Sequence, residues 1–156
     1  MGKGESHLEW RDGGVPVSTR FDDPYFSLEN GLAETTYVFL QGNNLPSRFT
    51  PGFHIAELGF GTGLNLLTTW KAWDDAGQTT PLTFTSFEAF PITSDEMARA
   101  LSAFRELEPY AERLVRAWDE DVSLSTLSDI NACIHIGDAR ETLKTTNFQA
   151  HAWFLD

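Results

Sequence analysis

Apolar and polar positions change rhythm along the chain, and each change marks an element. From Phe53 to Leu58 apolar residues gather between Gly52 and Gly59, as in a short buried strand. Leu64, Leu67, Trp70 and Trp73 then recur at helical spacing up to Gly77, so a helix follows the turn. Leu82 to Ala89, rich in Thr and Phe, reads as a second strand. Thr93 and Glu96 have the spacing of a capping box, opening a helix that presents Met97, Leu101 and Phe104 on one face. Pro109 is placed to start another helix with Leu114 and Trp118 inward. Ala132 to Ile136 is a third strand, Arg140 to Lys144 a short helix, and Ala150 to Leu155 a fourth strand. Strands alternating with helices predict an α/β fold with a parallel, doubly wound sheet and right-handed crossovers.

The first fifty residues are less regular. Leu8 to Phe21 reads as a hairpin around the turn signal Asp12-Gly13-Gly14, with Pro16 suited to an edge strand. Ala33 to Leu40 suits either a short helix or a strand. The expected organisation is an N-terminal extension over residues 1–50 and a nucleotide-binding domain over 51–156. Trp70, Trp73 and Trp118 are expected in the core, as is Cys133, which lies inside an apolar run.

Composition removes several classes of function. A chain of 156 residues suits one globular domain. No apolar run approaches the roughly 18 residues of a membrane span, and the start MGKGESHLEW lacks the apolar centre of a signal peptide, so a cytoplasmic protein without a membrane partner is expected. One cysteine rules out a disulfide framework. His7, His54, His135 and His151 lack metal-ligand spacing, so no metal is expected, and no glycine-flanked serine suggests a hydrolase elbow. Net charge is −12, from 23 acidic against 11 basic residues, the opposite of a broad phosphate-gripping surface.

Parallel sheets bind ligands beyond the carboxyl ends of their strands, so the residues after each strand carry the chemistry. The first strand ends in Glu57 and the turn Gly59-Phe60-Gly61-Thr62-Gly63, the second at Glu88, the third at Gly137-Asp138-Ala139 and the fourth at Asp156. Glycines between a strand and a helix make a tight turn, and they also let a nucleotide lie against the backbone at a helix N-terminus. Glu88 follows Gly63 at about the separation at which such folds place an acidic side chain on ribose hydroxyls. Asp138 either caps the short helix after it or meets an adenine edge. Glu57 either bonds loop amides or faces a cationic cofactor. A carboxylate two residues ahead of GxGxG, where dinucleotide folds carry GxGxxG, favours S-adenosylmethionine, which has no phosphates, over NAD(P). An oxidoreductase and a non-catalytic domain remain the alternatives.

The pieces "FDDPYFS", "GLAETTYVFLQGNNLP", "ELGFGTGLN", "FEAFP", "GDARETL" and "AWFLD", in this order, resemble the methyltransferase domain of the bacterial tRNA wobble-uridine modification family MnmC and its stand-alone relatives. The resemblance implies a Rossmann-like S-adenosylmethionine-dependent methyltransferase fold with an N-terminal β-hairpin extension. It implies methyl transfer to the aminomethyl nitrogen of a wobble uridine, giving 5-methylaminomethyl-2-thiouridine in tRNA. Gly59, Gly61 and Gly63 then line the cofactor loop with Glu57 beside it, Glu88 takes the ribose, Asp138 and Ala139 border the adenine, and Asp156 stands near the accepting amine. Tyr25, Phe26 and Asn43 belong to motifs that would shape the pocket mouth around substrate. In many members an FAD-dependent oxidase domain follows and makes the amine. Relatives often carry Lys where Ala89 stands, and they continue past "FLD" into a "GFAP" segment. The expectation is therefore a fold truncated after its fourth core strand, inactive or poorly stable alone, with that strand's outer edge unpaired.

Overall fold

The computed structural model describes residues 8–11, 15–18, 23–24, 31–120, 127 and 130–155. Near the start, β1 (Leu8–Arg11), β2 (Val15–Ser18) and β3 (Asp23–Pro24) form an antiparallel sheet in the order β1-β2-β3. β1 and β2 pair from Leu8↔Ser18 to Arg11↔Val15, as a hairpin requires; the turn signal Asp12-Gly13-Gly14 lies outside the described residues. Pro16 was expected on an edge, yet β2 is the middle strand. Among the described residues β3 pairs only with Val17 and Ser18, so Pro16 stands outside that short pairing.

Ala33 to Leu40 resolves as helix. α1 (Gly31–Thr35) widens into a π-helical turn over Thr36–Leu40, then tightens to a 3₁₀ turn at Gln41–Asn43 that ends on Asn44 in the left-handed region at φ 57°. Leu40 is buried, while Tyr37 and Val38 face solvent.

The main sheet is parallel, in the order β6-β5-β4-β7, built from β4 (His54–Leu58), β5 (Leu82–Glu88), β6 (Ile130–Ile136) and β7 (Ala152–Leu155). The chain builds outward from β4 to β6, then returns to the other side of β4, so the order reverses between β4 and β7. α2 (Leu64–Asp75) connects β4 to β5. α3 (Ser94–Leu101) and α4 (Glu108–Glu120) connect β5 to β6, and α5 (Ala139–Thr145) connects β6 to β7. The Thr93–Glu96 capping box forms in full: the Thr93 hydroxyl accepts from Glu96 N–H at 3.2 Å and the Glu96 carboxylate accepts from Thr93 N–H at 2.9 Å.

Alternate strand residues Ile55, Phe84, Ala132, Ile134 and Phe154 enter one core with Leu66, Leu67, Trp70, Met97, Leu101, Leu114 and Trp118. The opposite face is only partly covered: Trp153 and Leu155 keep 39% and 65% of their surface. Cys133 was expected in the core, but β6 alternates, burying Ile130, Ala132 and Ile134 and turning Cys133 outward with Asn131. Its thiol lies 3.6 Å from the His135 ring, and partial desolvation pushes its pKa up. Three histidines serve the framework, and His7 lies outside the described residues. His54 and His151 exchange two bonds, from His54 N–H to the His151 ring and from His151 N–H to the His54 carbonyl, and His135 stacks on Phe87. Among the described residues no helix is long and apolar enough to cross a membrane, and no group of three or more His, Cys, Asp or Glu side chains is arranged to hold a metal.

Candidate functional site

The register brings the strand ends together. Leu58 lies opposite Phe87 and Leu155, and Glu88 lies opposite Ile136. Two further bonds carry the pairing past the strands: Gly59 N–H donates to the Phe87 carbonyl and Gly137 N–H to the Glu88 carbonyl, each at 2.9 Å. The glycine loop, Glu88 and the Gly137-Asp138 turn are therefore neighbours at one end of the sheet. This is the end at which a doubly wound fold binds its ligand, and β4 and β7 flank the point of reversal.

Within the loop Gly59, Gly61 and Gly63 all have positive φ, at 90°, 58° and 86°. Gly59 and Gly63 serve different purposes. A Cβ on Gly59 would meet nothing within 4 Å, so its backbone borders open space, whereas a Cβ on Gly63 would lie 2.6 Å from Leu114 Cδ2 and 3.2 Å from the Phe60 ring. Gly63 thus lets the loop close onto α4 and begins α2 without a side-chain cap. Phe60 anchors the loop. Its buried ring stacks on Trp118 at 5.2 Å and 6°, and the Trp118 indole donates to the Ile92 carbonyl at 2.9 Å.

The carboxylates differ in their surroundings. Glu88 is half-buried; one oxygen accepts from Gly61 N–H at 2.8 Å and the other from Phe90 N–H at 3.0 Å. Glu57 has no exposed surface, and its oxygens accept from the Asn65 amide at 2.8 Å and the Ser86 hydroxyl at 2.7 Å. Both donors are themselves buried. Asp138 caps α5, accepting from Arg140 N–H at 2.9 Å and pairing with the Arg140 guanidinium at 2.7 Å. Those bonds hold its carboxyl well below the usual range, at about 2. Ala139, half-buried, starts the same helix.

Asn43 sits against β7, its amide donating to the Phe39 carbonyl at 2.8 Å and the Trp153 carbonyl at 3.4 Å. Tyr25, Phe26 and Asp156 lie outside the described residues. The structure adds Phe60, Trp118, Asn65 and Ser86 to the residues that shape the site. Ser86 had a signal in the sequence, as a polar residue two positions from Phe84 in a strand otherwise rich in apolar residues.

No protein-family model matches the chain. Over 121 residues, 72% of the chain, it is 50% identical to the tRNA 5-methylaminomethyl-2-thiouridine biosynthesis bifunctional protein MnmC of Aeromonas salmonicida. The chain is a relative of MnmC. It spans 18% of that MnmC protein's length. The crystal structure of MNMC2 from Aquifex aeolicus superposes with a TM-score of 0.66 at 24% identity, over 94% of this chain and 48% of the solved one. That likeness bears out the α/β fold with its parallel sheet, and the sequence relationship bears out the resemblance to the MnmC family.

Proposed function

We propose that this chain forms the cofactor-binding part of an S-adenosylmethionine-dependent N-methyltransferase that converts 5-aminomethyl-2-thiouridine to 5-methylaminomethyl-2-thiouridine at the tRNA wobble position. The observation that carries the reading is the Glu88 carboxylate on Gly61 N–H at 2.8 Å. A dinucleotide places a pyrophosphate against such loop amides. Here an anion already occupies one of them, and a phosphate beside it would be repelled. A cationic, phosphate-free adenosyl ligand suits both the carboxylate and the open room over Gly59. The name of the Aeromonas relative, a tRNA 5-methylaminomethyl-2-thiouridine biosynthesis protein, supports the tRNA substrate.

In this reading the Gly59 and Gly61 backbone cradles the cofactor and Glu88 accepts from its ribose hydroxyls. A carboxylate oxygen has acceptor capacity to do so while keeping Gly61 N–H. Asp138 and Ala139 border the adenine; Gly137 N–H on the Glu88 carbonyl keeps that turn beside the ribose position. The bound cofactor supplies an electrophilic methyl group on a sulfonium. The substrate amine must attack with a free lone pair, so Asp156 is assigned to hold and accept the amine proton, and Tyr25, Phe26 and Asn43 to border the substrate. Positioning supplies most of the rate. An FAD-dependent oxidase domain in the intact protein would make the amine, in keeping with the word "bifunctional" in the relative's name. A basic groove for tRNA would come from outside these acidic residues.

Calorimetry with S-adenosylmethionine and with NADH, followed by a methyl-transfer assay on tRNA lacking the final methyl group, tests the proposal. Binding of the first cofactor alone, and turnover that falls sharply in Asp156→Asn, is the expected result. Tight NADH binding without a response to S-adenosylmethionine would overturn it.

A further inference from the structure

Glu57 precedes the glycine loop and Asn65 follows it, so the bond between them is a chord joining the loop's two feet. Ser86 is the register partner of Glu57 on β5 and holds the other carboxylate oxygen from the side. Asn65 and Ser86 are themselves 8% and 0% exposed, so water cannot freely replace either donor. The loop between the feet contains three glycines at positive φ, and glycine has more backbone freedom to lose on ordering than any other residue. Joining the ends in advance removes part of that freedom before a ligand arrives.

We propose that Asn65 and Ser86 are positioning residues: acting through Glu57, they hold the Gly59–Gly63 loop in its ligand-ready shape in the free protein. The inference rests on the reading that this loop binds S-adenosylmethionine. Neither side chain needs to touch the cofactor. What their removal loses is loop shape rather than a charge contact, so the cationic cofactor and its neutral product, S-adenosylhomocysteine, weaken together.

Calorimetry on the intact protein with both ligands, and amide exchange at Gly59, Gly61 and Gly63 without ligand, test the proposal. Asn65→Ala weakens both ligands by about tenfold or more, the order expected for losing a hydrogen bond to a buried carboxylate, and speeds exchange at the three glycines. Ser86→Ala behaves likewise. Glu57→Gln combined with Asn65→Asp reverses donor and acceptor across the same chord and recovers most of the affinity lost in either single variant. A general loss of fold would not be repaired by that exchange. Wild-type exchange and affinity in Asn65→Ala, or a double variant no better than the singles, would overturn the proposal. If the wild type binds neither ligand the cofactor reading falls, and exchange in Asn65→Ala still decides whether the chord holds the loop.

Discussion

Replacing Gly63 with alanine separates the two reasons for glycine in the loop. Gly63 has φ 86°, and a Cβ there would sit 2.6 Å from Leu114 Cδ2 and 3.2 and 3.3 Å from two Phe60 ring atoms. A left-handed backbone costs a non-glycine residue about 1–2 kcal/mol, and forcing a methyl group into a packed core about 1–3 kcal/mol. Leu114 is wholly buried and Phe60 is stacked on Trp118, so neither moves without disturbing the wall of the loop. The combined cost of about 2–5 kcal/mol lowers the melting temperature of a domain this size by about 5–20 °C. Gly59→Ala bears only the backbone part, because its Cβ enters open space, yet its methyl group occupies the hollow and weakens cofactor binding. Thermal unfolding of both variants, with calorimetry alongside, checks the contrast. Adding Leu114→Ala to Gly63→Ala should cost less than the sum of the two single changes. Melting of Gly63→Ala within about 2 °C of wild type, or an equal drop in Gly59→Ala, would refute the packing argument.

Glu88→Gln keeps size and shape but sets an amide N–H against the N–H of Gly61 or Phe90; S-adenosylmethionine affinity should fall about tenfold or more, read by calorimetry. His54 has its pKa lowered from the usual 6.5, mainly by burial and also by neighbouring His151. The unfolded chain therefore takes up this proton first, and stability is complete above pH 6.5 and declines as the pH falls below it. Urea midpoints between neutral and mildly acidic pH should show that decline, and His54→Gln should flatten it. Asp138 behaves as a depressed carboxylate: its contribution, small on an exposed side chain, is present above the ordinary 3.8 and lost as the pH falls toward about 2. Arg140→Ala should remove that acid limb from the same titration.

Much of the sheet was legible because periodicity and punctuation agreed. Gly52 and Gly59 bracket β4, and the Thr93–Glu96 spacing forecast two bonds that both form. Strand ends were less certain: β6 starts two residues before Ala132 and β7 two residues after Ala150, because pairing with neighbouring strands, rather than apolar content, sets where a strand stops. Cys133 misled because an apolar run suggests burial on both sides, whereas β6 packs one face on the core and turns alternate residues outward. The glycine loop and its carboxylates were recognisable as a set, but their separate surroundings were not. That Glu57 is buried against Ser86 while Glu88, two residues beyond Ser86 along β5, reaches Gly61 depends on partners 29 and 27 residues away.

The turn at residues 41–48 is stitched to the start of β7 by side chains. Asn43 holds the Trp153 carbonyl across 110 residues of sequence, and Arg48 holds the His151 carbonyl across 103 at 2.7 Å. Stretches so far apart along the chain gain these bonds only when both are in place, so neither is expected to mature alone during folding. A stretch made 103 residues later thereby completes the turn, and the two should open and close as a single cooperative unit.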